Sequence, residues 1–197
     1  MMETAVIPSS CAVALKEWAS VLTALGGGEQ LILIRKGGLI EPGSGFELVS
    51  PIFVLYPTFE HQTVNFLRAP YQRYFHEAIA QRPPQEQIRF EFFGMAVSSA
   101  ESRDPAIIER LSPFHVYNEA FLHQRLKWKP EQPLVIVIMR AFQLAAPRTI
   151  PLVPRYAGCR SWVELESPVP LEGARPVLDD ARFRQRAQEI ASLLAPP

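Results

Sequence analysis

Four β-branched residues in succession, Val135-Ile136-Val137-Ile138, form the centre of the apolar run 134–139. A run of that composition reads as the central strand of the sheet, against which the helix expected over 13–25 packs. The strand is expected to extend to Leu144, as the strongest strand signal in the chain, although its apolar run ends at Met139. It falls far short of the roughly 20 apolar residues that span a bilayer as a helix. Leu31-Ile32-Leu33-Ile34 reads as a second buried strand, ending in the turn Arg35-Lys36-Gly37-Gly38. Residues 52–56 read as a third, closed by Pro57. Ile88, Phe90 and Phe92 alternate with Arg89 and Glu91, the pattern of a half-buried strand, with Gly94 as a bulge. A shorter strand is expected over 161–166.

Helices are predicted between these strands. Leu15, Trp18, Leu22 and Leu25 recur at helical spacing with Lys16, Glu17, Ser20 and Thr23 among them, which predicts a helix over 13–25 stopped by Gly26-Gly27-Gly28. Thr58 is positioned to cap a short helix carrying Glu60, His61 and Gln62. Another helical period runs from Tyr71 to Ile79, before Pro83-Pro84. Asp104-Pro105 and Ser112-Pro113 are start signals for two helices, the second reaching about Leu126. Asp179 or Asp180 caps a last helix whose inner face is Phe183, Ala187, Ile190 and Leu194. With no regular strand-helix-strand repeat, the expected class is α+β: a single domain over 1–197 with a largely antiparallel curved sheet or small barrel flanked by helices. Residues 1–11 and 195–197 are expected to be loose ends.

Charge and cysteine usage narrow the functional classes. Lys+Arg and Asp+Glu both total 20, so no net field draws the chain toward nucleic acid or an acidic membrane. Only 4 of the 20 cations are Lys, and Asp occurs only at 104, 179 and 180, where helix capping accounts for it. A metal-dependent nuclease, which needs clustered carboxylates, is therefore disfavoured. Two cysteines, Cys11 and Cys159, make neither a disulfide framework nor a four-thiolate zinc site. Reduced thiols, no signal-peptide pattern and no apolar span lead to a cytoplasmic expectation. No dinucleotide fingerprint, Walker loop or His-Glu-x-x-His occurs, so no cofactor and no metal are expected.

Several blocks in order are similar to those of a known family: Ala14-Leu15-Lys16-Glu17-Trp18-Ala19, Leu33-Ile34-Arg35-Lys36-Gly37-Gly38-Leu39 and Leu55-Tyr56-Pro57-Thr58-Phe59-Glu60-His61-Gln62. Later come Arg125-Leu126-Lys127-Trp128, the block 139–144 and the block 156–165. Together they resemble the bacterial family known as domain of unknown function 1802, over about 12–166. The resemblance implies one domain and supplies no activity, cofactor or partner.

Three constellations carry chemistry. Arg35-Lys36-Gly37-Gly38 sets two cations beside two glycines, able to bring charge and backbone N–H groups onto an anion, or to serve as an ordinary turn. Glu60-His61-Gln62 can display polar groups to a ligand or simply cap a helix. Cys159-Arg160, with Arg140 on the strong strand, can place a thiol beside a cation, although free cysteine is more often a small buried hydrophobe. The leading expectation is a non-enzymatic binding module for an anionic ligand such as RNA or a nucleotide-like group. Its surface would hold Arg35, Lys36, Gly37, Gly38, Glu60, His61, Gln62, Arg140 and Arg160. The alternatives are a hydrolase of acidic substrates that uses Cys159 and His61, and a protein-interaction domain with an unidentified partner. Arg35, read as a turn residue, is expected to be dispensable to the fold.

Overall fold

The computed structural model describes residues 6–36 and 45–195; Gly37 and Gly38 of the expected basic turn lie outside them. Among the described residues, seven strands form one mixed sheet: β1 (Ser10–Trp18), β2 (Ile32–Arg35), β3 (Ile52–Thr58), β4 (Gln87–Ser102), β5 (Leu134–Pro151), β6 (Trp162–Pro170) and β7 (Arg175–Pro176). Its order is β2-β5-β4-β3-β1-β6, with β7 added to β5. Every pairing is antiparallel except β1 with β3, which is parallel. Among the same residues five α-helices flank it: α1 (Ala19–Gly26), α2 (Gln72–Ala80), α3 (Pro105–Arg110), α4 (Glu119–Lys127) and α5 (Asp180–Leu194). The architecture is α+β with a curved, open sheet; the barrel alternative is not realised, because β2 and β6 remain edges.

Curvature comes from irregular pairing. The β4–β5 register shifts between Phe90 and Phe92 and again between Ala96 and Ser98, and such bulges bend a strand and increase its twist. Strand alternation then divides the interior in two. Leu15, Phe53 and Leu55 enter the core shared with Leu22, Leu25 and Phe121, whereas Ala14, Val54 and Tyr56 enter a second core with Phe90, Phe93 and Phe142. The curl is deep enough for the end of β2 to reach β1, four places away in the strand order: Arg35 contacts Glu17 at 3.0 Å.

The predicted helix over 13–25 is corrected: 10–18 is strand and only 19–26 is helix. Its apolar residues are all buried as expected, but the helical spacing of Leu15 and Trp18 is accidental. β1 lies between β3 and β6, so Ala14 and Leu15 in succession are both covered. The expected helix through Glu60-His61-Gln62 is also absent; β3 runs through Pro57 to Thr58 and a bend follows. Gly94 is no bulge. It pairs with both Phe53 and Ala141, and a Cβ there would stand 2.1 Å from the Met139 sulfur, so close packing is what requires glycine.

The segment entering α4 is pinned from outside. The Arg68 guanidinium donates to the carbonyls of Ser112 and His115, and the His115 ring beneath is 0 % exposed. Backbone groups of Ile108 and Tyr117 lie near the ring, but neither ring nitrogen has a hydrogen bond of good geometry. Burial, and then the Arg68 charge, pull the His115 pKa down from 6.5 to about 4. Between these values the unfolded chain binds the extra proton. This contribution is therefore complete above about pH 6.5 and is lost as pH falls toward 4, by up to about 3 kcal/mol. Denaturant titrations from pH 4 to 7 are expected to show a shallower fall for His115→Phe than for the parent chain; equal slopes would place the acid sensitivity elsewhere.

Candidate functional site

Consecutive residues on a strand point to opposite faces, so Lys16 and Glu17 at the end of β1 serve two different environments. On one face, the Lys16 Nζ donates to the carbonyls of Tyr156 at 2.6 Å and Gly158 at 3.0 Å, and lies 5.4 Å from the Tyr56 ring centre. Burial and the neighbouring Arg160 lower its pKa, while Glu60 and Cys159 act in the opposite sense. Lys16 forms part of the wall of a cleft of about 170 Å³ at the ends of β1 and β3, together with Tyr56, Phe59, Glu60, Arg82 and Gln85. The Arg82 guanidinium covers the Phe59 ring at 4.8 Å. The Tyr56 phenol, pushed up to about 12 chiefly by burial and then by Tyr156 and Glu60, stays a neutral donor.

On the other face, Glu17 is 6 % exposed. One carboxylate oxygen accepts from the Trp18 N–H at 2.7 Å and the other from Arg35 Nη1 at 3.0 Å. Arg35 Nη2 also donates to Ser161 Oγ at 2.8 Å, so its fork joins β1 to the residue before β6. Tyr117 lies against this carboxylate; burial, and then the Glu17 charge, raise its pKa well above the usual phenol value. Lys36 is buried and donates to the Arg125 and Leu126 carbonyls at 2.8 and 3.0 Å, at the C-terminal end of α4 where a cation is favoured.

The expected site residues therefore fall into separate groups. Glu60, Cys159 and Arg160 gather around Lys16. Arg35 and Lys36 sit beside Glu17 and α4. Gln62 accepts from the Ser20 N–H at 3.2 Å, so it caps α1 rather than a helix of its own. His61 is exposed, with φ 62°. Arg140 pairs with Asp180 and lies 5.4 Å from the Phe183 ring, anchoring α5. Cys159 is exposed and lies near Lys16. Among the described residues no three His, Cys, Asp or Glu side chains converge as a metal site. Lys16, Glu17, Tyr56, Arg82 and Arg125 were not singled out from sequence. The available signal was a Lys-Glu pair interrupting buried residues on a strand, and the helical reading of 13–25 concealed it.

The expectation that Arg35 is dispensable is corrected by its pairing with a buried carboxylate. Arg35→Ala would leave Glu17 to be answered less directly and is expected to cost about 3 kcal/mol in denaturant unfolding. The double change Glu17→Gln with Arg35→Met is expected to cost less than Arg35→Ala alone. A loss below about 0.5 kcal/mol for Arg35→Ala would show that the pair does not hold the fold.

A family model described as domain of unknown function (DUF1802) matches residues 14–189. No curated protein matches the sequence. Two solved structures are similar over most of both chains. A crystal structure of a serine-to-alanine mutant of ZmASCH from Zymomonas mobilis has 11% identity and a TM-score of 0.43, covering 96% of this chain and 100% of that one. The ASCH protein of Zymomonas mobilis has 9% identity and a TM-score of 0.42, covering 93% and 95%. No helix among the described residues is long and apolar enough to cross a membrane.

Proposed function

Because the chain belongs to the DUF1802 family, defined as a domain of unknown function, we propose a role from the geometry of its cleft: a binding module for a nucleotide-like anion. The observation that carries this reading is the combination of Lys16 and Arg82 in a cleft walled by Tyr56 and Phe59, with Arg160 close to Lys16. Glu60 is the one carboxylate among the described lining residues, so cations outnumber it. Two of the three Lys16 donors are engaged by carbonyls, which fixes the ammonium in place and leaves one N–H for a ligand.

Size limits the ligand. A volume of about 170 Å³ is below the roughly 300–1,000 Å³ of pockets that enclose drug-sized molecules. It accommodates one planar ring, with the charged remainder held at the rim by Arg82 and Arg160. A mononucleotide and a terminal nucleotide of RNA share that chemistry. Lys16 secures the 156–158 loop, so exposed Arg82 and Arg160 are the cleaner positions to test. Calorimetric titration with nucleoside monophosphates and short RNA is expected to show affinity falling about tenfold or more in Arg82→Ala and in Arg160→Ala, the value of a charge-assisted contact. Binding is also expected to weaken as salt rises. Equal affinity for the parent and both variants at two salt concentrations would refute the assignment.

A further inference from the structure

A second cavity, of about 60 Å³, adjoins the first across shared residues: Pro57, Phe59 and Pro83 line both. Two members of that partition are prolines, whose rings fix φ, so it is stiff. The Arg82 guanidinium lies over the Phe59 ring at 4.8 Å and lines the first cavity only, immediately before Pro83 in the chain. An anion held by Arg82 therefore stands at the edge of the second cavity. The floor there is apolar: Leu22 of α1, Leu55 of β3 and Ala78 of α2 are all buried, with Phe92 of β4 beside them. A Cβ on Gly26 would stand 2.4 Å from the Phe92 ring, so that ring is packed closely against the end of α1 and the cavity keeps its shape. The two charged residues of the lining, Arg89 and Glu91, pair at 2.8 Å and cancel one another. The second cavity thus offers apolar contact without a surplus charge, beside a first cavity where cations outnumber the carboxylate.

Resting on the cleft reading, we propose that the ligand is a nucleotide whose phosphate carries a short uncharged apolar group of about three carbons, seated in the second cavity. A volume of about 60 Å³ is about twice the share of one water in the liquid, which sets the size of the group. With the phosphate at Arg82, the substituent on its ester oxygen passes Phe59 and Pro83 to reach Leu22, Leu55 and Phe92. Two further carbons buried there are worth about tenfold in affinity. Because that gain comes from apolar contact in a lining whose charges cancel, it is insensitive to salt. The hold of Arg82 and Arg160 on the anion weakens as salt rises.

Full-length protein is titrated calorimetrically with AMP and with the methyl, isopropyl and hexyl esters of its phosphate, the three esters carrying the same charge. The isopropyl ester is expected to bind about tenfold more tightly than the methyl ester. That ratio is expected to hold within about twofold at low and high salt, while both affinities fall as salt rises. The hexyl ester is expected to bind within about twofold of the isopropyl ester, because the longer chain runs past the rim into water. Thr23 lines the second cavity from α1 and not the first. In Thr23→Leu, which fills that space, the isopropyl preference is expected to shrink to about twofold or less, the methyl ester serving as the internal reference. Gln81→Trp, at an exposed position of the same lining, is expected to do likewise and serves if the leucine variant does not fold. Equal affinity for the methyl and isopropyl esters, or AMP bound with no ester bound, overturns the inference and leaves the cleft reading standing; failure of AMP and every ester to bind overturns both. Affinity that climbs from isopropyl to hexyl also overturns it, as does an isopropyl preference that survives both variants.

Discussion

A carboxylate held at 6 % exposure must have its charge answered nearby, and in this chain that requirement falls on Glu17. The answer comes from β2, which the strand order places far from β1. Arg35 bridges the gap that ladder hydrogen bonds leave open, contacting Glu17 on β1 and Ser161 just before β6. The ion pair and its hydroxyl partner therefore draw one edge of the curved sheet toward the strands at the other. A barrel closed by backbone pairing would fix that distance by register alone; here it depends on side chains, and on the bulges in β4–β5 that allow the curl.

The same use of cations recurs across the molecule. Lys16 holds the Tyr156 and Gly158 carbonyls. Lys36 holds the end of α4. Arg68 holds the turn before α4, and Arg186 on α5 reaches the carbonyls of Gly28 and Pro113. All four of these cations tie together segments distant in sequence, from 44 residues apart for Arg68 to 158 for Arg186. A guanidinium can serve two carbonyls from one rigid plane, which a flexible ammonium does at greater cost in side-chain entropy. The predominance of arginine over lysine thus has structural work at Arg35, Arg68 and Arg186.

Much of the architecture was legible because its signals are local. The caps Asp104 and Asp179 accept from the Ala106 and Arg182 N–H groups as their positions imply. Phe183, Ala187 and Ile190 are buried along α5 as their spacing predicts. The failures arose where tertiary burial overrides periodicity. β1 is covered on both faces, so its apolar pattern loses the period of two and imitates a helix where it runs into α1. Gln62 looked like part of a new helix because nothing local shows that it caps α1 across the fold. For the site, the turn cations were visible as cations, but their partners Glu17 and the α4 carbonyls lie 18 and about 90 residues away. No spacing rule links them.

A formal net charge of zero does not weigh against anion recognition when charge is segregated on this scale. The Debye length at physiological ionic strength is about 8 Å, so a ligand at the end of β1 responds to its immediate shell rather than to the chain's sum. On the Lys16 face that shell holds Arg82, Arg160 and a single lining carboxylate; on the Glu17 face Arg35 answers the one carboxylate. The compensating acids lie elsewhere, as with Asp180 and Glu166 paired to Arg140 and Arg155. Such a chain has little long-range attraction for a polyanion and can be selective at contact distance. On the proposed reading of the cleft, the expected signature of that arrangement is modest association speed combined with affinity set by the groups within contact distance.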